Sequence, residues 1–243
     1  MPTLSPALLV TRAVKRRVWP ALKALGFSQF SGRSGWRSRH LFIDVVNLQS
    51  AVGKYRTYIS LRDGTHASAG SFAVNLGVFI DVQRLLPWAE TTTDRPLEWE
   101  CDYRLHLERQ TPEPRNYPQT VWPIAGDAGM VENTVCDAAD VILKQGLLWF
   151  DKYTDPEAIL KEYASLCDRN LVGHPDFCFR SEDRYAGLAI ALGRKDQAIA
   201  VYRKLAERPE EPGERDGHRK LFRGKIPFWK DEAQRRLNML LQF

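Results

Sequence analysis

The 243-residue sequence contains only four cysteines, Cys101, Cys136, Cys167 and Cys178. They are too few and too irregularly spaced for a disulfide scaffold, so a reducing compartment is expected. Long hydrophobic runs are missing as well. Nothing approaches the ~18 consecutive apolar residues of a membrane span, and no membrane association is expected. The apolar stretch Ala7 to Val10 is followed at once by Arg12, Lys15, Arg16 and Arg17, the reverse of the order in a secretory leader. A cytoplasmic location is the simplest expectation. Also absent are a Walker loop, a dinucleotide glycine fingerprint, a zincin helix and a nucleophile elbow. Their absence argues against the commonest enzyme classes, and no cofactor is expected.

Acidic residues are absent from the first 43 positions, which hold eight basic ones: Arg12, Lys15, Arg16, Arg17, Lys23, Arg33, Arg37 and Arg39. The rest of the chain carries 27 Lys and Arg against 30 Asp and Glu, so the formal net charge of +5 is concentrated at one end. A solvated helix face followed by a basic turn accounts for this pattern. A surface that attracts a polyanion or an acidic partner is the functional alternative. Composition is otherwise that of a globular protein, with 44% hydrophobic and 27% charged residues, and the length suffices for one large domain or two modest ones.

Hydrophobic periodicity divides the chain in two. Pro6 stands at a first-turn position, and Leu8, Leu9, Ala13, Val14, Val18, Ala21, Leu22 and Leu25 recur at helical spacing up to Gly26, a left-handed cap. Pro20 is expected to bend or interrupt that helix, and 32–35 reads as a turn. Trp36 to Gln49 contains Leu41, Phe42, Ile43, Val45, Val46 and Leu48 in a nearly continuous apolar run, as a strand covered on both faces would. Phe72 to Ile80 alternates strictly. Leu97, Trp99, Cys101, Tyr103 and Leu105 alternate with Glu98, Glu100, Asp102, Arg104 and His106, which predicts a strand with one wet face. Prolines and glycines from Pro112 to Gly129 predict a long loop with a short extended piece at Thr120 to Ile124. Helical spacing then runs from Val135 to Phe150, and Asp155 before Pro156 caps a further helix. The expected fold is therefore α+β. An N-terminal helix packs on a small, mainly antiparallel sheet within residues 1–153, and an all-helical extension occupies 154–243.

Leu22–Lys23–Ala24–Leu25–Gly26–Phe27, Trp36–Arg37–Ser38–Arg39, Val45–Val46–Asn47–Leu48–Gln49 and Phe72–Ala73–Val74–Asn75–Leu76–Gly77–Val78–Phe79 together resemble the bacterial family catalogued as domain of unknown function 4304, over about 22–153. The family has no assigned activity for the resemblance to carry over, and so no catalytic role to transfer to its motif positions Asn47, Gln49 and Asn75. Leu188 to Leu205, closing at Pro209, looks like a single tetratricopeptide hairpin near 181–209, with a Leu-Gly turn, the small residue Ala198 and the aromatic Tyr202. One copy is not an array, so the hairpin is expected to pack on neighbouring helices, including Phe228 to Phe243.

The metal candidate is Cys167, His174 and Cys178, ligand types that zinc prefers, but with no fourth ligand nearby and no close cysteine pair. Ordinary buried cysteines are the simpler reading. Asn47 and Gln49 share one strand face, Asp44 points to the other, and Asn75 lies on the next strand. A structural hydrogen-bonded network is set here against a ligand or partner site. Glu98 and Glu100 would serve as general acid or base only if one were desolvated, and strand alternation puts both in water. Trp36, Arg37, Arg39, His40, Tyr55, Arg56 and Tyr58 interleave aromatics with cations, a pattern suited to single-stranded nucleic acid.

The leading expectation is a non-enzymatic protein that binds another protein, in the specific form of a bacterial immunity-type protein occluding a cognate toxin. Arg16, Arg17, Trp36, Arg37, Arg39, Asn47, Gln49 and Asn75 are the partner-binding candidates. A nucleic-acid accessory protein, or an enzyme acting on a phosphate-bearing substrate through the basic N-terminal third, is the alternative.

Overall fold

The structure, a computed structural model, describes residues 5–50, 70–89, 93–110, 118–124, 128–170, 180–210 and 228–243. It contains two compact units, one formed by 1–79 with 93–154 and the other by 80–92 with 155–243.

The first unit is a helix-covered sheet. Helix α1, Pro6–Ala24, buries Val10, Ala13, Val14, Val18, Trp19 and Leu22, the stripe that its periodicity predicts. It runs through Pro20 without interruption, because that exposed ring removes only one hydrogen bond, the one to the Arg16 carbonyl. Its end is a Schellman motif: Phe27 N–H donates to Leu22 O at 3.1 Å and Gly26 N–H to Lys23 O at 3.1 Å. Gly26 takes φ +88° to close it.

Strands β1 (Gln29–Ser31), β2 (Ser34–Arg39), β3 (Phe42–Ser50), β4 (Phe72–Ile80) and β5 (Tyr103–His106) form one sheet in that order. A sixth strand, β6 (Val121–Trp122), pairs with the start of β4, while β5 pairs with Asn75 to Val78. The pairings β1–β2, β2–β3, β4–β5 and β4–β6 are antiparallel. The run from Trp36 to Gln49 is thus a hairpin rather than one strand. His40, at φ 39°, turns the chain between β2 and β3, and the apolar residues that follow it, Leu41 to Ile43, concealed it. The turn expected at 32–35 is shorter, since Ser34 and Gly35 already pair across to Asn47 and Val46.

Cross-strand partners share a face. One face carries Trp36, Ile43, Val45 and Phe79, which cluster with Cys101. The opposite face carries Val46, Leu48, Val74, Leu76 and Val78, all buried. Helices cover that second face. Trp19 of α1 lies against Gly35, and Leu76 Cδ1 comes within 3.1 Å of where a Cβ on Gly146 would stand. Gly146 belongs to a π-helical turn, Ile142–Gly146, that joins α2 (Ala128–Val141) to α3 (Leu147–Asp151).

The predicted strand from Leu97 to Leu105 is a strand only from Tyr103. Glu98–Glu100 is a 3₁₀ turn, in which Leu97 N–H donates to Glu100 Oε2 at 2.6 Å. A side chain reaching back across a turn competes with the sheet ladder, and the alternating pattern does not record it.

The second unit contains α4 (Pro156–Asn170), α5 (Arg180–Ala191), α6 (Lys195–Glu207) and α7 (Trp229–Gln242). Asp155 Oδ1 accepts from Glu157 N–H at 2.9 Å and caps α4. Helices α4, α5, α6 and α7 pack in sequence order, and 80–92 joins them through a 3₁₀ turn at Gln83–Leu85 against α5. Gly193, at φ +72°, makes the tight α5–α6 connection. Among the described residues no helix is long and apolar enough to cross a membrane.

Candidate functional site

Asn75 interrupts the apolar residues of β4 and is only 1% exposed, so its amide must find partners inside the protein. Its Nδ2 donates to Gln49 Oε1 at 2.6 Å, and its Oδ1 stands 2.7 Å from Nδ1 of His106, its cross-strand partner on β5. With the amide turned this way, Oδ1 accepts from His106 Nδ1–H. Asn47 lies on the same face, where Ser34 Oγ donates to its Oδ1 at 3.4 Å. Gln49, Asn75 and His106 thus form a polar ladder across three strands at the end of the face that holds the Trp36 cluster.

The 3₁₀ turn seats against this ladder. Gly77, two residues from Asn75, has no side chain, and a methyl group there would collide with Sγ and Cβ of Cys101. The close approach brings Glu98 to 7% exposure. Burial pushes its carboxyl pKa up, opposed by the positive charges of His106 and Arg104. Both glutamates were expected in water. Only Glu100 is exposed, because the turn rotates its two carboxylates to different sides. Trp36, 5% exposed, donates Nε1–H to Pro96 O at 2.8 Å and anchors the approach to the turn. The turn leaves Leu97 at 41% and Trp99 at 56% exposure.

The other nominated residues lie elsewhere. Arg37 and Arg39 project from the opposite face onto Asp44, which is 0% exposed. Arg37 Nε donates to Asp44 Oδ2 at 2.7 Å, and the Arg37 guanidinium lies 5.1 Å and 5.6 Å from the ring centres of Phe27 and Phe150. Arg37 also reaches Leu25 O at the end of α1, and Arg39 reaches Phe150 O and Tyr153 O at the end of α3. Two helix C-termini, each carrying partial negative charge, are thus tied to the sheet by these cations. Burial pushes the Asp44 carboxyl up, and the two guanidinium groups oppose that shift. Arg16 and Arg17 both bond Glu132 on α2 while their side chains stay 65% and 56% exposed. Cys167 is buried on α4, and His174, Cys178, Tyr55, Arg56 and Tyr58 lie outside the described residues. Among the described residues no cluster of metal-ligating side chains occurs.

The model of the family described as Domain of unknown function (DUF4304) matches residues 18–152, more than half of the chain. The chain belongs to the DUF4304 family. The match takes in the sheet, the polar ladder, the Asp44 clamp and the 3₁₀ turn. No curated protein and no solved structure matches the chain.

His106 and Glu98 are the residues of this site that alternation concealed. The trace of the turn in the sequence is Glu100, three residues after Leu97, which supplies the acidic half of a capping box without its hydroxyl half. The second unit has its own polar cavity of about 370 Å³, lined by Trp88, Asp183, Glu232, Arg235 and Arg236 among others. Asp183 accepts hydrogen bonds from Tyr202 and Arg236, and Arg236 Nε donates to Glu232 at 2.6 Å. Its two carboxylates and two guanidinium groups balance, so the network holds helices together without leaving net charge for a ligand.

Proposed function

We propose that this protein is a non-enzymatic interaction protein whose mixed unit docks a partner protein on the sheet face bearing the ladder and the 3₁₀ turn. Trp99 carries the reading: a large indole 56% exposed, beside Leu97 at 41%, on a turn seated against buried polar structure. Exposed aromatics on rigid supports are the residues that dominate binding when desolvated. Gln49, Asn47, Arg104 and His106 supply a polar rim, and Asn75 and Trp36 hold the surface from beneath. Arg16 and Arg17, on α1, act through association rate. Arg37 and Arg39 position the sheet from its far side. The specific form of this reading is a bacterial immunity-type protein that occludes a toxin.

Replacing the rim residue Arg104, exposed beside the turn, with a photo-crosslinking amino acid in cells tests the reading and leaves Trp99 in place. The expected result is one discrete adduct from position 104 and none from Leu148, which is 67% exposed on α3. The same adducts from both positions, or none from 104, would overturn it. Growth protection when the chain is co-expressed with the captured protein tests the immunity form.

One observation favours an enzyme as the second reading. Glu98 is a desolvated carboxyl within electrostatic reach of an imidazole held by Asn75, and a carboxyl of raised pKa is the kind of group that proton transfer uses. Turnover of a phosphomonoester that disappears in His106→Asn would favour it, and no turnover by the intact chain would remove it.

A further inference from the structure

Five of the eight cations before Ile43 are engaged within the first unit. Arg16 and Arg17 bond Glu132, and Arg37 and Arg39 bond Asp44. Arg33 donates to Thr11 Oγ1 at 3.1 Å and Ala7 O at 2.7 Å. The other three, Arg12, Lys15 and Lys23, are exposed and have no carboxylate partner among the described residues. Spacings of three and four residues place Arg12, Lys15, Trp19 and Lys23 on one stripe of α1.

That stripe borders a groove. Lys15, Trp19, Pro20 and Lys23 from α1 face Phe30, Ser31 and Gly32 of the β1–β2 hairpin around about 320 Å³. The Trp19 and Phe30 rings pack at 4.9 Å between centroids, and Lys23 Nζ lies 5.7 Å from the centre of the Phe30 ring. The groove thus has an aromatic wall, two cations, a hydroxyl and no acidic lining residue. Its volume falls at the lower end of the roughly 300–1,000 Å³ of small-molecule sites. It has room for one phosphoryl group and one ring rather than a strand.

We propose that this groove binds a small phosphate-bearing ligand. The phosphoryl oxygens accept hydrogen bonds from Lys15, Lys23 and Ser31, and an attached ring lies against Phe30. Ammonium and hydroxyl donors facing a doubly charged acceptor form charge-assisted hydrogen bonds, and Lys23 already shows that the Phe30 face attracts positive charge to the groove. The inference is independent of partner docking, because none of its residues belongs to the ladder or the 3₁₀ turn.

An NMR titration of the full chain with AMP, adenosine and inorganic phosphate tests it. AMP should give saturable shifts at the Trp19 indole and the Ser31 and Gly32 amides. Phosphate should bind the same site more weakly, and adenosine should leave it unchanged. Lys15→Ala and Lys23→Ala should each weaken AMP binding about ten-fold, the loss of one charged hydrogen bond, whereas Arg12→Ala should change it less than about two-fold. All three are exposed positions, so the variants keep the fold. Absence of saturable shifts at this groove, or AMP binding undiminished in the Lys15→Ala/Lys23→Ala double variant, would overturn the proposal. So would an oligothymidylate that outcompetes AMP and loses as much affinity from Arg12→Ala as from either lysine variant, which would make the stripe a nucleic-acid track.

Discussion

Asp44 and Glu98 are both buried carboxyls with raised pKa values, but the structure treats them differently. Asp44 is surrounded by guanidinium groups, so Asp44→Ala leaves two cations without their buried counter-charge. The expected loss is on the order of 3–5 kcal/mol, read from urea unfolding. Glu98 has only the more distant charges of His106 and Arg104. A carboxyl whose folded pKa is raised binds its proton more tightly in the folded state. Its contribution is therefore fully present below the unfolded carboxylate pKa and is lost as pH rises through the folded value. Glu98→Gln mimics the neutral form, so it should leave stability unchanged near the unfolded pKa and below, and raise it near neutrality. Unfolding curves at the two pH values check the sign. Equal effects at both would show that Glu98 does not titrate with folding.

At the scale of elements, α1, β4 and the α4 cap were legible because each carries a local signal that burial reinforces. Pro6 and Gly26 bracket α1, small residues alternate with large ones in β4, and Asp155 precedes Pro156. The β2–β3 turn was not legible, because Leu41 and Phe42 beside His40 are as apolar as a strand interior and are buried with it. Nor was the 3₁₀ turn, whose alternation mimics a strand while Gly77 accommodates it from another element. The ladder was half legible: alternation placed Asn47 and Gln49 together, but only pairing across β4 and β5 brings in His106. Local terminators make local predictions. Gly26→Ala forces an L side chain to positive φ and should cost about 1–2 kcal/mol. Asp155→Ala removes a cap and should cost about 1 kcal/mol. Both are measurable by chemical denaturation.

Across the whole molecule, the charge asymmetry visible in the sequence resolves into internal bonds and one short cationic stripe. Most of the N-terminal arginines reach helix ends or pair with Glu132, so they have bonding roles inside the unit whether or not a partner binds. The surface of the first unit also carries an exposed indole on a supported turn, that of Trp99. Its dissociation constant with the captured partner is the measurement that tests the central claim. Trp99→Ala should weaken binding by about 2 kcal/mol or more, roughly 30-fold, with the thermal unfolding midpoint unchanged. Equal affinity in the variant and the intact chain would contradict the account.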